Sequence, residues 1–125
     1  LAGWQRRRLR IRSRDVTEFD LGRWESQIED LEPALRAGPY FVLGQGHLIR
    51  QDFDLAAATF LKVPLVHDSE HPVSAQCLLD AGRALNRIGM REEAARLYNE
   101  ILDRYGSASL VEEARGELQQ LIDKQ

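Results

Sequence analysis

The sequence has only one cysteine and no long apolar run. Cys77 has no second cysteine in the chain to pair with, so an internal disulfide framework is excluded. No stretch reaches the roughly 18 apolar residues that a membrane-spanning helix needs. The 125 residues give room for one ordinary domain and little more. These absences leave a single domain that depends on a hydrophobic core, in which we expect Cys77 to be buried and unreactive.

Motifs of catalysis are also missing. The sequence contains no glycine-rich phosphate loop, nucleophile elbow or paired carboxylate motif. The stretch His67–His71 matches the H-x-x-E-H spelling of a zinc peptidase family, but Pro72 disfavours the helical His71 which that chemistry needs. We therefore expect no enzymatic activity, no metal and no cofactor.

Acidic residues are absent from the first 14 positions. This segment contains six arginines: Arg6, Arg7, Arg8, Arg10, Arg12 and Arg14. The whole chain has 17 basic and 20 acidic residues, so the remainder carries 11 bases against all 20 acids. Alternation of apolar residues with arginine favours an extended segment, and we predict a basic extended arm at residues 1–19 in front of an acidic body.

The arm leaves several interpretations open. It is a solvated tail, or it lies next to a membrane, because arginines just beyond a membrane span hold that side in the cytoplasm. The membrane interpretation requires an apolar segment upstream of Leu1, of which Leu1–Trp4 would be the end. Nucleic acid is disfavoured, since the acidic body would repel phosphate. We expect the cytoplasm or the cytoplasmic face of a membrane, with the periplasm left open.

Apolar residues recur at helical spacing after the arm. Leu21, Trp24, Ile28, Leu31 and Leu35 follow one another at intervals of 3, 4, 3 and 4 residues. This spacing predicts an amphipathic helix with its apolar face, Trp24 included, in the core. Asp20 is its predicted N-cap and Gly38–Pro39 its end. Pro33 either kinks the helix or starts a new one.

A pattern of small and aromatic residues then occurs twice. Gly44, Ala56, Phe60 and Val63 are followed 38 residues later by Gly82, Ala94, Tyr98 and Ile101. Small residues at matched places let two helices approach closely, and the aromatic ring fills the groove beside them. A helix pair repeated at a fixed period of this size predicts a helical solenoid.

Proline, glycine and capping residues set the predicted bounds of these helices. The first pair runs from Pro39 to about Arg50 and from Asp52 or Asp54 to about Pro64. The second pair follows a loop at residues 67–71, with Pro72 in its first turn, Gly89 as a left-handed C-cap between its helices and Gly106 at its end. Ser109 and Glu112 predict a capping box at the start of a terminal helix, whose inward residues are Leu110, Ala114, Leu118, Leu121 and Ile122.

These residues resemble the tetratricopeptide repeat (TPR) family over about residues 38–123. Consensus spacings are met by Leu43, Gly44, His47, Phe53, Ala56, Phe60 and Val63, and again by Leu78, Gly82, Leu85, Gly89, Ala94, Tyr98 and Ile101. The repeat is four residues longer than the usual length of about 34. His47 stands where the family places an aromatic residue, so the resemblance implies a packing role for it. The resemblance implies an all-α, short right-handed solenoid of about six helices, with repeats at about 38–71 and 72–106 and a capping helix at 109–123. The segment Ala94–Leu118 is also similar to repeats of bacterial envelope-assembly proteins.

The resemblance further implies a binding face on the first helix of each pair. Its predicted partner-binding residues are Phe41, Gln45, Leu48, Leu79, Arg83, Asn86 and Arg87, with Glu113 and Glu117 added by the last helix. Such a face suits a peptide or partner protein with apolar anchors and an acidic group opposite Arg83 and Arg87. The alternatives are a face that is solvated or covered by the 20–37 helix, and a spacer or anchor domain of a membrane-attached protein. Two repeats are few for a stable array, so flanking helices or a homodimer would have to supply the missing cover.

Overall fold

The computed structural model describes residues 17–67, 72–105 and 109–124. Over these ranges the chain forms six α-helices and no strand, which confirms the all-α prediction. The helices are α1 (Glu18–Glu29), α2 (Ala37–Ile49), α3 (Phe53–Lys62), α4 (Ser74–Arg87), α5 (Arg91–Arg104) and α6 (Val111–Asp123). A 3-10 turn, Pro33–Leu35, precedes α2, and a π-helical turn, Val63–His67, follows α3. The greater part of the predicted arm, most of the H-x-x-E-H stretch and Gly106 lie outside the described residues.

Each helix packs chiefly against the next one along the chain. The most extensive contacts join α2 to α3, α3 to α4 and α4 to α5, while α1 and α6 cover the two ends of this row. Short turns at residues 50–52 and 88–90 connect the helices of each pair. Turns of this length make the two helices of a pair fold back on each other.

Close packing at two glycines repeats from one pair to the next. A Cβ atom on Gly44 would lie 2.5 Å from the Phe60 ring, and one on Gly82 would lie 2.5 Å from the Tyr98 ring. Both rings are fully buried. The sequence predicted that a glycine in each pair lets its two helices approach closely, and this is confirmed in both pairs.

One continuous core joins the two pairs. Its first part includes Trp24 and Cys77, and its second part includes Tyr98, while Leu61 and Leu85 pack against both. Cys77 is fully buried, as expected, and burial raises the pKa of its thiol to about 12.

The start of α1 differs from the prediction. Thr17, not Asp20, is the N-cap: its hydroxyl accepts a hydrogen bond from the Asp20 N–H at 3.2 Å. The Asp20 carboxylate accepts one from the Thr17 N–H at 3.3 Å, which completes a capping box. The helix therefore begins at Glu18, inside the segment that was predicted to be extended.

The end of α1 also comes earlier than Gly38–Pro39, which instead belong to the first turn of α2. The Arg36 guanidinium donates to the carbonyls of Glu29 and Leu31, both at 2.9 Å, and so satisfies acceptors that a helix end leaves open. Leu35, which was expected to face the core, is 49% exposed because the chain has left the helix by then.

Two further boundaries need correction. The capping box at the start of α6 does not form: Leu110 occupies the N-cap position, and Glu112 pairs with Arg115 at 2.8 Å. Ile122 is exposed, whereas Val111 is buried. Pro72 lies in a turn ahead of α4 and not in its first turn.

Candidate functional site

A groove runs beside α2, α4 and α6. It consists of two adjoining cavities, which share Leu48 and Asp80 in their walls. Cavity A has a volume of about 310 Å³ and is lined by Leu48, Phe53, Asp80, Arg83, Ala84, Asn86, Arg87 and Glu117. Cavity B has a volume of about 640 Å³ and is lined by Phe41, Gln45, Leu48, Pro72, Val73, Gln76, Asp80, Ser109 and Leu110.

Six of the seven predicted partner-binding residues line this groove. They are Phe41, Gln45 and Leu48 on α2 and Arg83, Asn86 and Arg87 on α4. Leu79 does not belong with them. Its side chain is fully buried in a cluster with Ala114 and Leu121 of α6, so it lines neither cavity and is unable to contact a partner there.

Two polar residues of α4 that line the groove were missed by the sequence interpretation. Gln76 and Asp80 precede Arg83 and Arg87 at intervals of four, three and four residues, which is the spacing of one helix face. This spacing was the available signal. The face that α4 turns to the groove passes through Gln76 and Asp80, whereas the side chain of Leu79 points into the core.

Arg83 is already surrounded by acids of its own chain. Its guanidinium lies 3.1 Å from Glu117, 3.8 Å from Glu113 and 3.9 Å from Asp80. The contact with Glu117 is a hydrogen bond from Nε, which makes it the strongest of the three. The acidic group that was expected to come from a partner is therefore supplied in part by α6.

Tyr98 lies close to this ion pair. Its hydroxyl is buried and, among the described residues, makes no hydrogen bond of good geometry. Burial raises the pKa of Tyr98, and the nearby charge of Glu117 raises it further. The raised pKa keeps the phenol neutral near neutral pH.

Asp80 is the polar residue common to both cavities. Its side chain is 16% exposed, and its carboxylate accepts a hydrogen bond from Gln76 Nε2 at 3.1 Å. Burial raises the pKa of Asp80, and Glu113 acts in the same direction, while the Gln76 bond and Arg83 oppose them. The raised pKa indicates that the ionised carboxylate is not fully compensated by its neighbours.

Aromatic rings form part of the wall in both cavities. The Arg87 guanidinium lies 4.8 Å from the centre of the Phe53 ring, a cation–π arrangement. Phe41 in cavity B packs against Phe60, with ring centres 5.9 Å apart. The groove thus has aromatic and aliphatic walls with a charged centre.

A smaller cavity of about 240 Å³ lies between α1 and the α2–α3 turn, with His47 in its wall. His47 is 8% exposed, in keeping with the packing role expected for it. Burial lowers its pKa. Within 17–67, 72–105 and 109–124, no group of three or more histidine, cysteine or acidic residues is arranged to hold a metal ion.

No described helix is both long enough and apolar enough to cross a bilayer. No protein-family model matches the chain, and no curated protein or solved structure is significantly similar to it. The fold and groove define an all-α protein with an elongated cleft. Membership of the TPR family stays a prediction from the residue pattern.

Proposed function

We propose that this chain is a TPR-like protein-interaction module and that it binds a peptide segment of a partner protein in the groove. One observation carries the proposal: two cavities join at Leu48 and Asp80 along α2, α4 and α6, and six independently predicted residues line them. The cytoplasm, or the cytoplasmic face of a membrane, is the compartment that the arginine-rich N-terminal residues favour.

A short right-handed solenoid is part of the proposal. It is supported by helices that pack in chain order and by the same glycine–ring contact in both pairs. In such an array every repeat needs a neighbour to cover its apolar face. The contacts of α1 with α2 and of α6 with α5 give cover at both ends.

The composition of the groove suits a peptide. Phe41, Leu48 and Phe53 offer apolar surface for side chains, and Gln45 and Asn86 offer amide groups for a peptide backbone. Peptide recognition commonly combines pockets for side chains with hydrogen bonds to the main chain. A groove with two joined cavities can hold neighbouring anchor side chains of one segment.

The proposal is tested with peptides selected from a random library on the wild-type protein. Leu48→Asp puts a charge where the two cavities meet and should weaken the selected peptides by at least about tenfold, or about 1.4 kcal/mol. Leu65→Asp is the matched control, because Leu65 is 66% exposed and lines neither cavity. It should change the affinity by less than about twofold.

Leu48→Ala keeps the position apolar and should lie between these two variants. Circular dichroism spectra of all three variants should match that of the wild type, since the comparison requires folded protein. Selected peptides that bind Leu48→Asp as tightly as the wild type would contradict the proposed site. A library that yields no binder would contradict the proposed function.

A further inference from the structure

Cavity B contains a single charged side chain among the residues described around it. That residue is Asp80, and the rest of the wall is apolar or carries neutral amide and hydroxyl groups. Asp80 also lines cavity A, so it lies where the two cavities meet. A ligand group bound in cavity B can therefore contact both apolar side chains and this carboxylate.

The charges around Asp80 do not cancel. Asp80, Glu113 and Glu117 are three carboxylates gathered around one guanidinium, that of Arg83. Arg87, the other cation that lines the groove, stacks on the Phe53 ring and, within the described part of the chain, forms no ion pair with these acids. The cluster around Arg83 thus carries more negative than positive charge.

We propose that the bound peptide carries a lysine or arginine side chain that enters cavity B and places its charged end against Asp80. This inference rests on the proposed function and names the chemistry of its ligand. The aliphatic part of such a side chain would pack against Leu48, Val73 and Leu110, as long basic side chains do on apolar surface. Its N–H groups would donate to the Asp80 carboxylate, a charge-assisted hydrogen bond.

An acidic ligand group fits the same place less well. To bind Arg83 it would have to lie among the three carboxylates of Asp80, Glu113 and Glu117. Each like-charge neighbour opposes its binding. A cation instead compensates Asp80, whose pKa burial has raised.

The test uses three small probes that each contain four carbon atoms and carry a positive, a neutral or a negative end group: n-butylammonium, n-butanol and butyrate. Each is titrated into isotope-labelled protein, and the amide resonances of Gln76, Asp80 and Leu110 are followed by NMR. Butylammonium should shift these resonances saturably, butanol should do so at least about fivefold more weakly, and butyrate should leave them unmoved.

Asp80→Asn keeps the shape of the side chain and removes its charge. It should weaken butylammonium at least about fivefold and leave butanol unchanged. Asp103→Asn is the matched control, since Asp103 is an exposed acid of α5 outside both cavities. It should leave the affinities of all three probes the same as in the wild type.

Three outcomes would overturn the inference. They are equal binding of butyrate and butylammonium in cavity B, butylammonium binding that Asp80→Asn does not alter, and no butylammonium shift in cavity B. If Asp80→Asn fails to fold, the comparison of the three probes on the wild type still tests the inference. None of these outcomes bears on the Leu48→Asp peptide experiment, so the ligand charge and the peptide-binding function fail independently.

Discussion

The two helix pairs use the same contact to pack and differ in what surrounds it. In α2–α3, Gly44 receives the Phe60 ring, and Phe41 lies beside that ring. In α4–α5, the Tyr98 ring packs against Gly82, and the charge of Glu117 raises the pKa of the Tyr98 hydroxyl. The repeated residues fix how the helices approach each other. The residues next to them decide whether that part of the groove is apolar or charged.

The turns of the two pairs show the same relation. Gly89 has φ of 82°, and Gln51, which precedes it by 38 residues, has φ of 62°. Only glycine adopts these angles at little cost. The first turn therefore has the same left-handed backbone conformation as the second, although it has glutamine in place of glycine.

The largest effect is expected at the two glycines. Gly44→Ala and Gly82→Ala each force a Cβ to 2.5 Å from a buried ring and should lower the free energy of unfolding by about 1–3 kcal/mol. Gly116→Ala is the control, because a Cβ there meets nothing within 4 Å, and it should raise stability by about 0.5–1 kcal/mol. Urea denaturation measures all three. Equal effects at Gly82 and Gly116 would contradict the packing described.

Exchanging the two aromatic residues sharpens the contrast between the pairs. Phe60→Tyr adds a hydroxyl beside Phe41 in the apolar core and should cost about 1–3 kcal/mol. Tyr98→Phe removes a hydroxyl that makes no good hydrogen bond among the described residues and should change stability by less than about 0.5 kcal/mol. Thermal melts compare the two variants. A large loss in Tyr98→Phe would mean that the hydroxyl is well bonded to Glu117.

A smaller effect is expected from exchanging the left-handed residues of the two turns. Gly89→Gln copies the first turn into the second and should destabilise the fold by about 1 kcal/mol, because a side chain at φ of 82° is strained. Gln51→Gly makes the reverse change and should be neutral or stabilising by up to about 1 kcal/mol. Chemical denaturation is again the measurement, and destabilisation by Gln51→Gly would contradict the equivalence of the turns.

The smallest effect concerns His47, which stands 38 residues before Leu85. Burial lowers the pKa of His47, against an opposing influence of Asp52 and Glu25. A depressed histidine pKa means that its share of stability is complete above the ordinary pKa of about 6.5 and is lost as pH falls below it.

His47→Leu copies the second repeat and should lose less stability than the wild type between about pH 6.5 and pH 5. Asp80 has a raised pKa, so its contribution to the free energy of unfolding increases as pH falls. The wild type and His47→Leu both contain Asp80, so this contribution cancels when their stabilities are subtracted. Parallel curves of unfolding free energy against pH would show that His47 does not titrate as described.

Local patterns in the sequence predicted much of this fold. The glycine–ring contacts, the all-α class and the left-handed Gly89 all follow from the spacing and type of single residues. Thr17 was missed as a cap although it stands three residues before Asp20, at the spacing of a capping box. Arg36 was missed because its guanidinium reaches back seven residues to the Glu29 carbonyl. Patterns within one helix do not reveal a contact of that range.

The candidate site was predictable to the same extent. The resemblance to TPR repeats implied Phe41, Leu48 and Arg87 as groove residues, but the burial of Leu79 depends on where α6 packs. The ion pair of Arg83 with Glu117 joins residues 34 positions apart, so its neutralising effect appears only in three dimensions. The charge distribution of the groove is therefore set by tertiary structure.

The most direct test of peptide binding in the groove is a crystal structure of the protein with a library-selected peptide bound. The peptide should lie along α2 and α4, contact Leu48, and place a basic side chain beside Asp80. A peptide bound instead to the α3 and α5 faces, or in the His47 cavity beside α1, would contradict the proposed site.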